Sequence, residues 1–222
     1  MTMTQGIPCP AGTYNNLNGK TSLSDCLPCP VGTTTNQQQG LTTCQACLAG
    51  SYCPYTGMTT SILCPIGTFN SKQGATNAND CLNCTIGNIC PNEGMSVMTS
   101  CPYGNYCPSL GMSEGIKCPP GTYGPTQGAF QCVNTTPGYW QGNSGLTIQM
   151  NCDPGYYCPT SGLINQIPCP AGKYTSVQGS IFCNNCSIGN YCPTGSANPI
   201  KCTVGNYCPT LSLGNPISCP KG

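Results

Sequence analysis

Cysteine is the residue that could do chemistry in this chain: there are 23 in 222 residues. Thiols can ligate metals, cycle as redox pairs or cross-link the backbone, and spacing separates the three. The stretch Cys26-x-x-Cys29…Cys44-x-x-Cys47 comes close to a zinc-ribbon spacing. Those four residues, however, belong to a longer series of units most of which lack the second Cys-x-x-Cys, and no histidine completes a site. Redox cycling at Cys81/Cys84 or Cys183/Cys186 lacks the strand and helix of a thioredoxin-like frame. Cysteine at this density instead marks a disulfide scaffold and requires an oxidising compartment.

The remaining inventory argues against catalysis. The chain has no His and no Arg, and its only acidic residues are Asp25, Asp80, Glu93, Glu114 and Asp153. Charged residues make up 5% of the sequence, against roughly a quarter in ordinary domains. General acid–base pairs, activated nucleophiles and phosphate clamps need groups this inventory does not hold, so the expectation is no enzyme and no cofactor. A net charge of +1 offers no footprint for nucleic acid, and leaves little repulsion between copies. No run of 18 apolar residues is present, so no membrane span is expected in this window.

The cysteines sit in a repeated phrase, Cys-x-x-Gly-x-aromatic. Its glycines recur from Gly12 to Gly222 at a period near 17, with six steps of 17 between Gly87 and Gly189. Such self-similarity describes a quasi-one-dimensional array whose units touch mainly their sequence neighbours. Two kinds of module alternate. Long ones read Cys-Pro-x-Gly-Thr-Tyr, a polar stretch usually centred on a glycine, then Cys; they start at Cys9, Cys29, Cys64, Cys118 and Cys169. Short ones read Cys-x-x-Gly-x-Tyr-Cys-Pro and start at Cys47, Cys84, Cys101, Cys152, Cys186 and Cys202.

These boundaries predict the tail of a preceding module at 1–8 and three modules at 9–63. Superrepeats follow at 64–117, 118–168 and 169–218, and a further module opens at 219–222. The chain reads as a window on a longer array. Pro after Cys argues against helices and central strands, so the expected architecture is an elongated rod of small disulfide-rich tandem repeats. Short β-ribbons and turns make up each unit, with almost no helix.

One module breaks the rule. Residues 135–151 fit the short template, but Thr135 and Gln141 stand where both cysteines belong. Joint loss is what a mutually bonded pair would show. In that frame the long modules pair Cys9–Cys26, Cys29–Cys44, Cys64–Cys81, Cys118–Cys132 and Cys169–Cys183. The short ones pair Cys47–Cys53, Cys84–Cys90, Cys101–Cys107, Cys152–Cys158, Cys186–Cys192 and Cys202–Cys208, which leaves Cys219 unpaired in the window. A frame shifted by one would orphan both Cys132 and Cys152. The bridges supply what a 17-residue unit cannot bury as a core.

The recurring aromatic is expected to lie over a disulfide. In the Cys-less module its slot holds Trp140, the single Trp. Two readings stand beside each other, an apolar filler offsetting the missing cystine and a lateral docking residue.

Three Asn-x-Ser/Thr acceptors, Asn83, Asn134 and Asn185, are spaced 51 and 51 residues apart at equivalent long-to-short junctions. Register with the superrepeat argues for covalent N-glycans, which would also keep a nearly uncharged surface soluble.

The phrases CPAGTYNNLNGKTSLSDCLPC and CPIGTFNSKQGATNANDCLNC resemble ephrin-receptor-like cysteine-rich repeats, which are similar to the first sub-module of tumour-necrosis-factor-receptor domains. The short modules look like variants found in very large surface proteins of ciliates and other protists. The resemblance implies within-module pairing of the cysteines and a secreted, extracellular or cell-surface setting. The resulting expectation is a structural segment of a filament, cell-surface hair or coat, with filament neighbours of its own kind and glycans as partners. Its alternatives are a ligand-binding or adhesion receptor ectodomain and a variable surface antigen of a protist.

Overall fold

The computed structural model describes residues 6–220; residues 1–5 of the expected 1–8 tail and 221–222 of the last expected module, with Gly222, lie outside them. Two compact units are formed, one by residues 1–101 with 107–115, the other by 102–106 with 116–222. Both are built the same way. Among the described residues there are twelve two-stranded antiparallel hairpins, no α-helix, and two three-residue 3-10 turns at Leu23–Asp25 and Ala78–Asp80. Small disulfide-rich repeats with little helix, the class the sequence predicts, are the fold.

Each hairpin begins with the repeated phrase. In the first module the Thr13 N–H donates to the Pro10 carbonyl at 3.1 Å across a turn in which Gly12 has φ 87°. That is the type II geometry, with Ala11 at the first corner and glycine supplying the positive φ of the second. The residue after the glycine clips the turn again. Thr13, Thr33, Thr68 and Thr122 each donate Oγ1 to the carbonyl of Pro10, Pro30, Pro65 and Pro119. In short modules Asn88 and Asn190 do so through Nδ2, to Thr85 Oγ1 and Ser187 Oγ, each at 3.0 Å.

The chain then runs through two strand residues, loops out, and returns to pair just before the next module's cysteine. Thr13–Tyr14 thus pairs with Leu27–Pro28, and Tyr123 faces Val133. The two longest loops, in the Cys9–Cys26 and Cys64–Cys81 modules, take up their extra residues as the 3-10 turns. Each turn is closed by a capping box, Ser22 with Asp25 and Asn77 with Asp80.

The cysteines close the modules on themselves. Bridges with sequence separations of 14–17 are Cys9–Cys26, Cys29–Cys44, Cys64–Cys81, Cys118–Cys132 and Cys169–Cys183. Bridges with a separation of 6 are Cys47–Cys53, Cys84–Cys90, Cys101–Cys107, Cys152–Cys158, Cys186–Cys192 and Cys202–Cys208. Cys219 is exposed and unbridged.

Main-chain hydrogen bonds join the modules. In the first unit Gly32 donates to the Cys53 carbonyl at 2.8 Å, while Gly57 donates back to the Cys29 carbonyl at 2.7 Å. In the second unit Gly138 donates to Cys158 and Gly179 to Cys152, both at 2.8 Å. The same pair of bonds recurs with the step of the repeat.

Contacts also reach one module further than a nearest-neighbour array requires. A Cβ added to Gly32, whose φ is 80°, would stand 2.6 Å from the carbonyl oxygen of Gly74, two modules on. Only glycine satisfies the left-handed dihedral and that approach together. Equivalent approaches join Gly50 to Gly94 in the first unit and Gly121 to Gly162 in the second.

Candidate glycan-acceptor sites and the junction slots

The residue three places after the phrase glycine occupies the junction between modules, because it accepts the phrase-glycine N–H of the module before, through its carbonyl or, at Thr35, through Oγ1 at 2.9 Å. In short modules it is the second cysteine; Cys53, Cys90, Cys107, Cys158 and Cys192 are completely buried there. In long modules the second cysteine comes later and is half-buried, and the slot passes to Thr35, Asn70, Gly124 or Thr175, all buried. Asn70 satisfies itself by donating Nδ2 to the Ser51 carbonyl at 3.2 Å. Residue spacing does not single out this slot. Its signal was a position that is always cysteine or a small or amide-bearing residue.

The Cys-less module shows what the slot demands. Thr135 and Gln141 are both completely buried in the two cystine positions. Gln141 bridges part of the gap, its Nε2 donating to the Ile148 carbonyl at 2.6 Å. Thr135 Oγ1 and Trp140 Nε1 are buried without a hydrogen-bond partner. The Trp140 ring lies against Gly142, where an added Cβ would meet ring carbon Cζ3 at 3.0 Å, and its backbone pairs with Met150. Trp140 is therefore half-buried and packed inside its own module.

Of the ten aromatics in the phrase slot, nine stand opposite an apolar residue on the returning strand, as in Tyr14 with Leu27, Phe69 with Leu82, Tyr106 with Ile116 and Tyr207 with Ile217, while Tyr174 faces Asn184. Such directly opposed pairs share one face of the hairpin and are the stabilising unit of a two-stranded ribbon. The aliphatic position, two residues before each module's first cysteine, was legible as a pattern and went unread.

Asn83, Asn134 and Asn185 occupy one register position. Each is the last residue of a returning strand, opposite Thr68, Thr122 and Lys173 respectively, and each is exposed. Successive strand residues face opposite ways, so these side chains leave the hairpin on the face away from the aromatic–aliphatic pair. Close to Asn83 lies Gly111, and an added Cβ there would be 3.3 Å from Asn83 Oδ1. At Gly162, the matching position for Asn134, an added Cβ would meet nothing within 4 Å. Each acceptor amide is thus exposed, with the side chain of its cross-strand partner beside it on the same face.

The four residues at zinc-ribbon spacing are divided among three bridges: Cys26 with Cys9, Cys29 with Cys44, and Cys47 with Cys53. All four sulfurs are thereby bonded to other sulfurs. Among ionisable groups, Asp25 is held below the usual carboxylate range, chiefly by the Ser22 N–H at 3.2 Å. Its Oδ1 also meets Lys20 Nζ at 3.4 Å. A depression of about 550 Å³ lies beside this turn between Ile7, Asn15, Lys20 and Leu23, and it is open to solvent. Among the described residues no helix is long and apolar enough to cross a membrane.

Tandem hairpins stapled within modules and joined through main-chain bonds define a cysteine-rich repeat protein. Residues 3–40 and 36–81 match the family described as tyrosine-protein kinase ephrin type A/B receptor-like, so this stretch carries ephrin-receptor-like cysteine-rich repeats. No curated protein matches the chain.

Proposed function

We propose that this chain is a structural segment of an extracellular, N-glycosylated repeat protein, elongated along its array and assembled into a filament, cell-surface hair or coat. One observation carries the reading: module after module reuses the same junction, and among the described residues no module departs toward a charged or aromatic-rich ligand patch. The cystine-dominated core fits an oxidising, secreted setting. The expected glycans on Asn83, Asn134 and Asn185 and the superrepeats at 64–117, 118–168 and 169–218 belong to the same reading.

Small-angle scattering on chain secreted from eukaryotic cells tests it. A 222-residue globule would have a radius of gyration near ~17 Å. If each of twelve modules advances on the order of 10 Å, the array reaches about 120 Å. A value near the compact one removes the rod, and intact-mass measurement without hexose-containing adducts at the three asparagines removes the glycans.

A second reading, a binding ectodomain, is favoured by the receptor named in the family description. A membrane span and signalling domain in the sequence flanking this stretch would decide for it; dozens of further modules would decide for the fibre.

A further inference from the structure

The hairpins have two unlike faces. In nine of the twelve described, an aromatic residue stands opposite an aliphatic one. No member of those nine pairs is charged. The other face is mostly Thr, Ser, Asn and Lys, including Lys117 opposite Asn105 and the three expected glycan acceptors, with Leu63, Tyr139, Tyr156, Pro28 and Pro168 among its apolar or aromatic members. Eight of the nine apolar partners are exposed, and Ile167 is half-buried. In the second unit Ile116, Val133, Met150, Ile200 and Ile217 keep 39–46% of their surface in water.

We propose that these aromatic–aliphatic faces are the surface on which a second copy of the chain docks side by side. The proposal rests on the structural reading above and names the contact it needs. Area selects the occupant. One module offers a single aliphatic side chain and the rim of a ring, whereas a stable interface takes about 800 Å² per partner. The partner must therefore present apolar groups over several consecutive modules at this array's own step, and another copy has that step. Charge agrees: an uncharged face meets its like without stranding an ion, and a net charge of +1 leaves the copies little repulsion. Glycans, leaving from the opposite face, stay clear of the contact. Strength then accumulates module by module, as in any multivalent pairing.

Sedimentation velocity on the full, disulfide-bonded, glycosylated chain, from about 1 to 100 µM, tests this. The unsubstituted chain should associate. The Ile116→Ser/Met150→Ser/Ile217→Ser variant should associate at least tenfold more weakly. An Ile188→Ser/Val204→Ser variant, which removes two exposed apolar residues at turn tips instead, should behave as the parent. If the triple variant fails to form its bridges, single Ile116→Thr keeps a β-branched residue and should still weaken association about threefold. Association unaffected by the ladder substitutions, or lost in the turn-tip variant alone, overturns the proposed surface and leaves the assembly reading standing. A chain that stays monomeric to 100 µM overturns both. So does a chain that floats with phosphatidylcholine vesicles while never binding itself.

Discussion

Ser212 occupies, at φ 59°, the second-turn position that is glycine in most other modules, and its N–H makes the same inter-module bond, to the Cys186 carbonyl at 2.8 Å. A left-handed non-glycine residue costs about 1–2 kcal/mol, partly offset by the chain entropy glycine loses on ordering. Ser212→Gly should therefore raise stability by up to about 1 kcal/mol in denaturant titration, and a loss would contradict the shared geometry. Gly32→Ala should go the other way. It forces both the dihedral and the approach to the Gly74 carbonyl, at roughly 2–3 kcal/mol, read as a lower thermal midpoint. Asp25 sets the small pH response. Its folded carboxyl is lowered by the Ser22 N–H, so its contribution is present above the unfolded value near ~3.9 and is lost as pH falls through the folded value. With no histidine to titrate between about pH 5 and 8, the midpoint should be flat there and decline only below about pH 4. Asp25→Asn should remove part of that decline. The glycine phrase was readable from spacing because only glycine serves its turn; Ser212 shows why the second turn was less so, since a tolerable strain admits another residue.

Hairpins, not cystines alone, organise each module, and the 135–151 module separates the two contributions. Its strands pair Tyr139 with Asn151 and Trp140 with Met150 in the register of its neighbours, although no bridge closes it. Ribbon, ring and the Gln141 amide together hold a shape that elsewhere has a disulfide. The double substitution Thr135→Cys/Gln141→Cys should form a bridge spontaneously under oxidising refolding, since both positions are cystine sites in every other short module. Closing a loop of about 7 residues is worth about 2 kcal/mol by the chain-entropy estimate. Peptide mapping checks the bond and denaturation the gain; two free thiols would contradict the shared geometry. Sequence spacing revealed these ribbons and their number because each lies between two landmark residues, a phrase glycine and the next cysteine. It did not reveal the junction slot. That position changes chemistry between long and short modules while its role as acceptor stays fixed, and a role carried at all but Thr35 by a carbonyl leaves little mark on residue identity.

Within each unit, stability is distributed rather than centred. Cysteines dominate the buried set, and Ile89 against Cys101, Cys107 and Met112 is the nearest thing to a conventional apolar cluster. Complete reduction and alkylation should accordingly unfold the chain, seen as loss of near-ultraviolet dichroism from its tyrosines and of amide-exchange protection. Retention of either would mean that ribbons and rings suffice without sulfur. The repeat order was evident in the sequence from the period near 17, whereas the reach from Gly32 to Gly74 was not, because close packing of two backbones requires nothing but the absence of a side chain. That reach has a consequence for how such a gene can change. Modules recognise one another through N–H groups, carbonyls and missing side chains, so a duplicated or deleted copy meets neighbours it already fits, without compensating substitutions. Recombination between repeats can then lengthen or shorten the polypeptide in whole steps. The outward-facing residues, released from any part in stacking, are left open to selection for whatever touches them.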